Sequence, residues 1–209
     1  FEPDWYPGAP ILPIFDVHFG KEYRAQSTCA FGFEPNSMHT QYLLEVQSYL
    51  RSKEFRCTFF TNTAAALSTG QSTMHRHSVD SNGVGGSLLL DKLESEQRSR
   101  SKLRKASIVT EEIKTIDLGH FIKEHIQYRK IPDMRDTMKS PPSVVIKMDV
   151  EGYEYELLPS LLLSGALCGV DLIVIEWHDQ HLKNSEGASK YFEIRRAVEV
   201  LIKSEKRSK

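Results

Sequence analysis

The sequence predicts an α/β protein in which a mostly parallel sheet carries helices on both faces. Three observations predict it. Short apolar runs of strand length alternate with stretches at helical spacing. Several runs are apolar throughout, as strands covered on both faces are. The runs end at Asp16, Glu34, Asn62, Asp149, Glu176 and His178. An open parallel sheet gathers such residues at one edge, where its ligands bind.

Each element has its own signal. The opening FEPDWYPGAP, with three prolines and a glycine, reads as a loop. The apolar run at 11–16 is a strand candidate interrupted by Pro13. CAFGF at 29–33 is a second strand candidate and ends at Glu34, where Pro35 and Asn36 break the pattern. Ser37 is placed as the cap of a helix whose Leu43, Val46 and Leu50 recur at three- and four-residue steps. FRCTFF at 55–60 is the third strand, followed by NTAAAL. The segment 68–107, rich in serine and glycine and carrying the basic run RSRSKLRK, reads as a polar, solvated loop insertion. QSTMHR and GSLLL are short strand candidates inside it. SIVTEEIKTID is extended, and Asp117 caps the helix DLGHFIKEHI. VVIKMDV at 144–150 is a strand with a lysine inside it. In the helical stretch that follows, Pro159 belongs in a first turn or at a break, and Gly165 marks a stop. DLIVIEW at 171–177 is a buried strand. Ile194, Ala197, Val198, Leu201 and Ile202 form one helix face.

Composition sets the limits. The chain has 209 residues, 40% apolar and 26% charged, which fits one globular domain spanning 1–209 that needs no metal or disulfide to fold. Its 27 Lys and Arg stand against 28 Asp and Glu, so no nucleic-acid partner is expected. No apolar run reaches the ~18–20 residues of a membrane span. Cys29, Cys57 and Cys168 are odd in number and lack CxxC spacing. They read as small buried hydrophobes in a reducing compartment, with cytoplasm preferred. A chain that opens on Phe1 reads as a fragment or a processed product.

Two clusters carry chemistry. Glu34, ending a strand and held by the GFEPN turn, suits the diol of a ribose. No G-x-G-x-x-G follows a first strand, so a pyrophosphate cofactor is discounted in favour of one without phosphate. KMDVEGYE places Asp149, Glu151 and Glu154 at a strand-to-helix junction, with Gly152 allowing a tight turn. The helix dipole accounts for Glu151 and Glu154 better than for Asp149. Lys147 is expected to pair with one of these acids. EWH ends the next strand and brings His178, a proton acceptor near neutral pH, beside Asp149. The pairs His178 with His181 and His75 with His77 supply too few ligands for a metal, so none is expected.

The series FGFEPN, NTAAAL, IKTIDLGHFI, VVIKMDVEGYEYELL and DLIVIEWH resembles the FkbM-type methyltransferases, from about residue 31 to residue 178. The resemblance implies a Rossmann-like class I methyltransferase sheet, S-adenosylmethionine as cofactor, and O-methylation of a sugar or another small hydroxylated acceptor. On it, Glu34, Asn36, Ala64, Ala65, Asp149 and Glu151 are cofactor-binding positions, with Glu34 on the ribose and the alanines near the adenine. His178 and Asp149 are the catalytic candidates. The family's glycine-rich first loop is not recognisable and little follows the last helix, so the domain is expected to be incomplete at both ends. The alternative reading is a non-catalytic Rossmann-like binding module with a decayed cofactor site.

Overall fold

The computed structural model describes residues 17, 28–80, 85–103, 105–129, 143–178 and 188–205. The strand candidate at 11–16, including Asp16, and the residue His181 lie outside them. The elements in chain order are β1 (Cys29–Glu34), α1 (Thr40–Ser52), β2 (Arg56–Thr61), β3 (Thr63–Ala66), β4 (Gly70–His77), α2 (Leu90–Ser99), β5 (Ile108–Asp117) and α3 (Leu118–Ile122). There follow β6 (Val145–Met148), α4 (Glu154–Leu163), β7 (Leu172–Ile175) and α5 (Ala188–Glu205).

The architecture is mixed α/β with small sheets. β1 pairs with β2, and β6 with β7, both in parallel. The third sheet has the order β3-β5-β4, with β3 parallel and β4 antiparallel to β5. The pairings are mostly parallel, as expected, but they fall into three small sheets and β4 runs antiparallel. The three residues between Ala66 and Gly70 are too few for a parallel crossover, so the chain must reverse there.

One apolar core joins the two parallel pairs. Leu118, Ile122, Met148, Leu157, Leu158, Leu161 and Val198 are buried in it, and Phe33 of β1, Ala65 of β3, Ile146 of β6 and Ile175 of β7 pack against it. Phe33 stacks on Phe60 with centroids 5.0 Å apart, and Phe121 of α3 meets both rings edge-on. The carboxyl ends of β1 and β6 are thereby held over a common base.

Several local expectations hold. Leu43, Val46 and Leu50 form the half-buried face of α1. Asp117 accepts from the His120 amide at 2.8 Å and so caps α3. Gly165 has φ +73° and ends α4: its amide bonds the Leu162 carbonyl while that of Ala166 bonds the Leu161 carbonyl, the paired pattern that closes a helix on a left-handed glycine.

Others are corrected. Asn36, not Ser37, caps the turn that leads into α1, since its Oδ1 accepts from the Met38 amide. The segment 68–107 is not a loop. It holds β4, as QSTMHR suggested, and then α2. GSLLL gives no strand, only one bridge from Ser87 to His75 before the helix begins. Pro159 lies inside α4. Its cost of about 3 kcal/mol is outweighed by full burial of Leu157, Leu158 and Leu161, each worth about 1.5–3 kcal/mol. Only Cys57 of the three cysteines is buried, and Leu201 is exposed, while Val198 and Ile194 carry the packing of α5. No described helix is long and apolar enough to cross a membrane.

Candidate active site

The carboxyl ends of β6 and β7 build the densest polar cluster. After Met148 the backbone turns through Glu151, at φ +53°, and Gly152, at φ +99°. The glycine adopts this freely, whereas the glutamate does so at a cost of order 1–2 kcal/mol. Hydrogen bonds hold the strained turn. The Glu151 carbonyl accepts from Ser87 Oγ at 2.7 Å. Glu154 Oε1 reaches back to the amides of Val150 and Gly152 at 3.2 and 3.3 Å.

Glu154 is fully buried, so it is more than an acid complementing a helix dipole. Its Oε1 lies 2.8 Å from His178 Nδ1. Facing a carboxylate, Nδ1 carries the hydrogen and donates, so Nε2 is the nitrogen of the neutral ring that accepts a proton. Nε2 faces Glu151 Oε2 at 3.5 Å and Asp149 Oδ1 at 3.7 Å. Burial pulls the imidazole toward its neutral form. The hydrogen bond to Glu154 and the charges of Glu154 and Glu151 outweigh it, Lys92 opposes them, and the net result is a pKa above the usual 6.5.

Both other acids are paired. Asp149 is bridged by Lys147, as the sequence predicted, although the Lys147 side chain is 45% exposed rather than buried in its strand. Glu151 accepts from the buried Lys92 of α2. Trp177 packs against Tyr155 at 5.4 Å and under Arg195 of α5 at 5.1 Å, which fixes the chain just before His178.

The end of β1 is simpler. Glu34 Oε1 accepts from the Asn36 amide at 2.8 Å. Burial raises its pKa above the ordinary 4.5, against the lowering effects of that hydrogen bond and of His39, and the negative charge of Asp149 adds to the rise. Glu34 and Asp149 therefore sense each other's charge across the rim. The Asn36 side chain is buried and its carbonyl caps the next turn, which makes it a support for Glu34. Ala64 is buried in the small core with Met74 and Ile113, whereas Ala65 is only partly buried. Asn62 follows β2 in the left-handed region, and its Oδ1 is enclosed with no hydrogen-bond partner among the described residues.

Sequence reasoning weighed histidine pairs for a metal and missed the trio that the fold assembles. Ligand atoms of Asp149, Glu151 and His178 lie within 4.8 Å of one another. It also missed Lys92. The signal available was a single lysine set among leucines in LLLDKLE, a pattern that buries one face of a helix.

The family model for the methyltransferase FkbM domain matches residues 14–202. Comparison with curated proteins and with solved structures gives no match. FkbM methyltransferases use S-adenosylmethionine, which has no phosphate to cradle, and the enclosed acceptor at Asn62 and the acid at Glu34 fit an adenine amine and a ribose diol. Matched over nearly its whole length, the chain belongs to the FkbM methyltransferase family and is an S-adenosylmethionine-dependent methyltransferase.

Proposed function

We propose that the chain O-methylates a small hydroxylated acceptor, such as a sugar, at the rim formed by β1, β2, β6 and β7, within a Rossmann-like, mostly parallel sheet. The observation that carries this reading is His178: its Nδ1 is committed to the buried Glu154, and its Nε2 faces Asp149 and Glu151 at the rim.

Held at this rim, the cofactor would supply an activated methyl group on its sulfonium, whose carbon–sulfur bond would break in line with the acceptor oxygen and release S-adenosylhomocysteine. Most of the acceleration then comes from positioning. His178 Nε2 takes the proton of the acceptor hydroxyl as the carbon–oxygen bond forms. Glu154 stabilises the resulting imidazolium through Nδ1. Asp149 and Glu151 hold the cofactor amine or the acceptor. Glu34, set by the Asn36 amide, accepts from the ribose diol, and Ala65 flanks the adenine.

Two measurements test the assignment. Calorimetry with S-adenosylhomocysteine on Glu34→Ala should show affinity weaker by about 1.5–3 kcal/mol, the worth of a charged hydrogen-bond pair, and unchanged affinity removes Glu34 from the ribose. His178→Ala should retain that affinity and lose turnover of the hydroxylated acceptor. Unchanged turnover removes the base.

A further inference from the structure

We propose that Lys92 is a built-in cation of the active site: its buried ammonium pairs with Glu151, one of the three groups that converge with Asp149 and His178, answers that acid with fixed positive charge, and holds it beside the imidazole. The proposal rests on the reading of that rim as the active site and adds to it a residue from a distant segment.

Lys92 lies on α2, within the stretch whose composition reads as a solvated loop. It is fully buried. An ammonium in that position is costly unless it is paired. Its partners are Glu151, to which it donates, and Glu96 Oε1 at 3.7 Å. Glu96 in turn faces His77 Nε2 at 3.3 Å, so the network reaches β4. A second anchor from the same segment holds the same turn: Ser87 Oγ donates to the Glu151 carbonyl at 2.7 Å and accepts from the Leu89 amide at 3.1 Å. A Cβ at Gly152 would meet Leu89 Cδ1 at 3.6 Å and Lys92 Cδ at 3.7 Å. The docked segment therefore touches the acid turn through backbone, charge and aliphatic stem together.

Charge argues for an ammonium over a metal. Lys147 pairs with Asp149 and Lys92 with Glu151. A divalent ion would have to compete with Lys147 for Asp149 and with Lys92 for Glu151. Among the described residues, the charged and titratable groups facing the imidazole include Glu154 from α4, Asp149 and Glu151 from the β6–α4 turn, and Lys92 from α2. Lys147 stands behind Asp149, and Glu96 behind Lys92. Among the described residues, the charge of Lys92 opposes proton retention by His178, and a base must shed its proton to begin another cycle.

The test is a histidine-selective NMR titration of the full chain, with the His178 signal assigned by its loss in His178→Asn. Lys92→Met should move the His178 midpoint up, Lys92→Arg should leave it near wild type, and Glu151→Gln should move it down. Manganese(II), added alone, should leave the wild-type His178 signal sharp and should broaden it in Lys92→Met. If Lys92→Met titrates like wild type, or if micromolar manganese broadens the wild-type signal, the proposal is overturned. Should Lys92→Met unfold, the double variant Lys92→Met/Glu151→Gln must titrate above Glu151→Gln alone, and equal midpoints overturn the proposal. The titration reads the ring whether or not it is the base, so its outcome is separate from the turnover of His178→Ala.

Discussion

The two acidic corners of the rim are built in opposite ways. Glu34 is held by one hydrogen bond from a residue two positions away. His178 is held by Glu154, faces acids on the β6–α4 turn, and is tied through Lys92 and Glu96 to α2 and β4. The contrast fits the tasks proposed for the two corners. An acid that accepts from a diol needs only placement, and a proline-set turn provides it. A group that takes and returns a proton needs a tuned proton affinity, and that requires charges brought from several segments.

Breaking the dense corner gives the largest expected effect. Glu154→Ala leaves the His178 ring buried without its acceptor and the Val150 and Gly152 amides without theirs. It should lower unfolding free energy by about 3–5 kcal/mol, as loss of one member of a buried pair does. Urea denaturation measures this, and a loss below 1 kcal/mol would show that Glu154 is not the anchor of that corner. The β1–β2 corner is tested by Gly32→Ala. A Cβ there would stand 2.6 Å from Phe59 Cδ1, and overpacking should cost about 1–3 kcal/mol, with cofactor affinity falling as Glu34 shifts.

The smallest effect separates the corners by pH. Both Glu34 and His178 have folded pKa values raised above their ordinary 4.5 and 6.5. The native state therefore holds the proton longer than the unfolded chain, and the stability each group contributes is full below its ordinary value and lost as pH rises through the raised one. Urea midpoints should decline in two windows, one opening above 4.5 and one above 6.5. Glu34→Gln should flatten the first window only, and His178→Asn the second only. If one variant flattened both, the two corners would be titrating as a single unit.

Much of this was legible in the chain. CAFGF, FRCTFF and VVIKMDV announce strands by successive apolar residues, although β1 is exposed at Cys29–Phe31 and β2 and β6 are mostly half-buried rather than covered on both faces, and Gly165 and Asp117 announce helix ends through requirements that few other residues meet. The segment 68–107 was not legible. α2 reads LDKLESEQRS, polar enough for a loop, and its lysine is stable in the interior only because Glu151 and Glu96 meet it there. Glu151 lies 59 residues away in sequence, and no local pattern encodes such a partner. The same holds for Glu154, which local rules assign to a helix dipole, and for Pro159, whose penalty is absorbed by leucines on the far side of its own helix.

The left-handed backbone at Glu151 sets two demands on one position. For folding alone, glycine or asparagine would relax the turn; for charge, only a carboxylate answers Lys92. A small residue at 151 would ease the backbone and strand the buried ammonium, so the two positions stand or fall together: a relative that relaxes this turn should also have replaced the lysine.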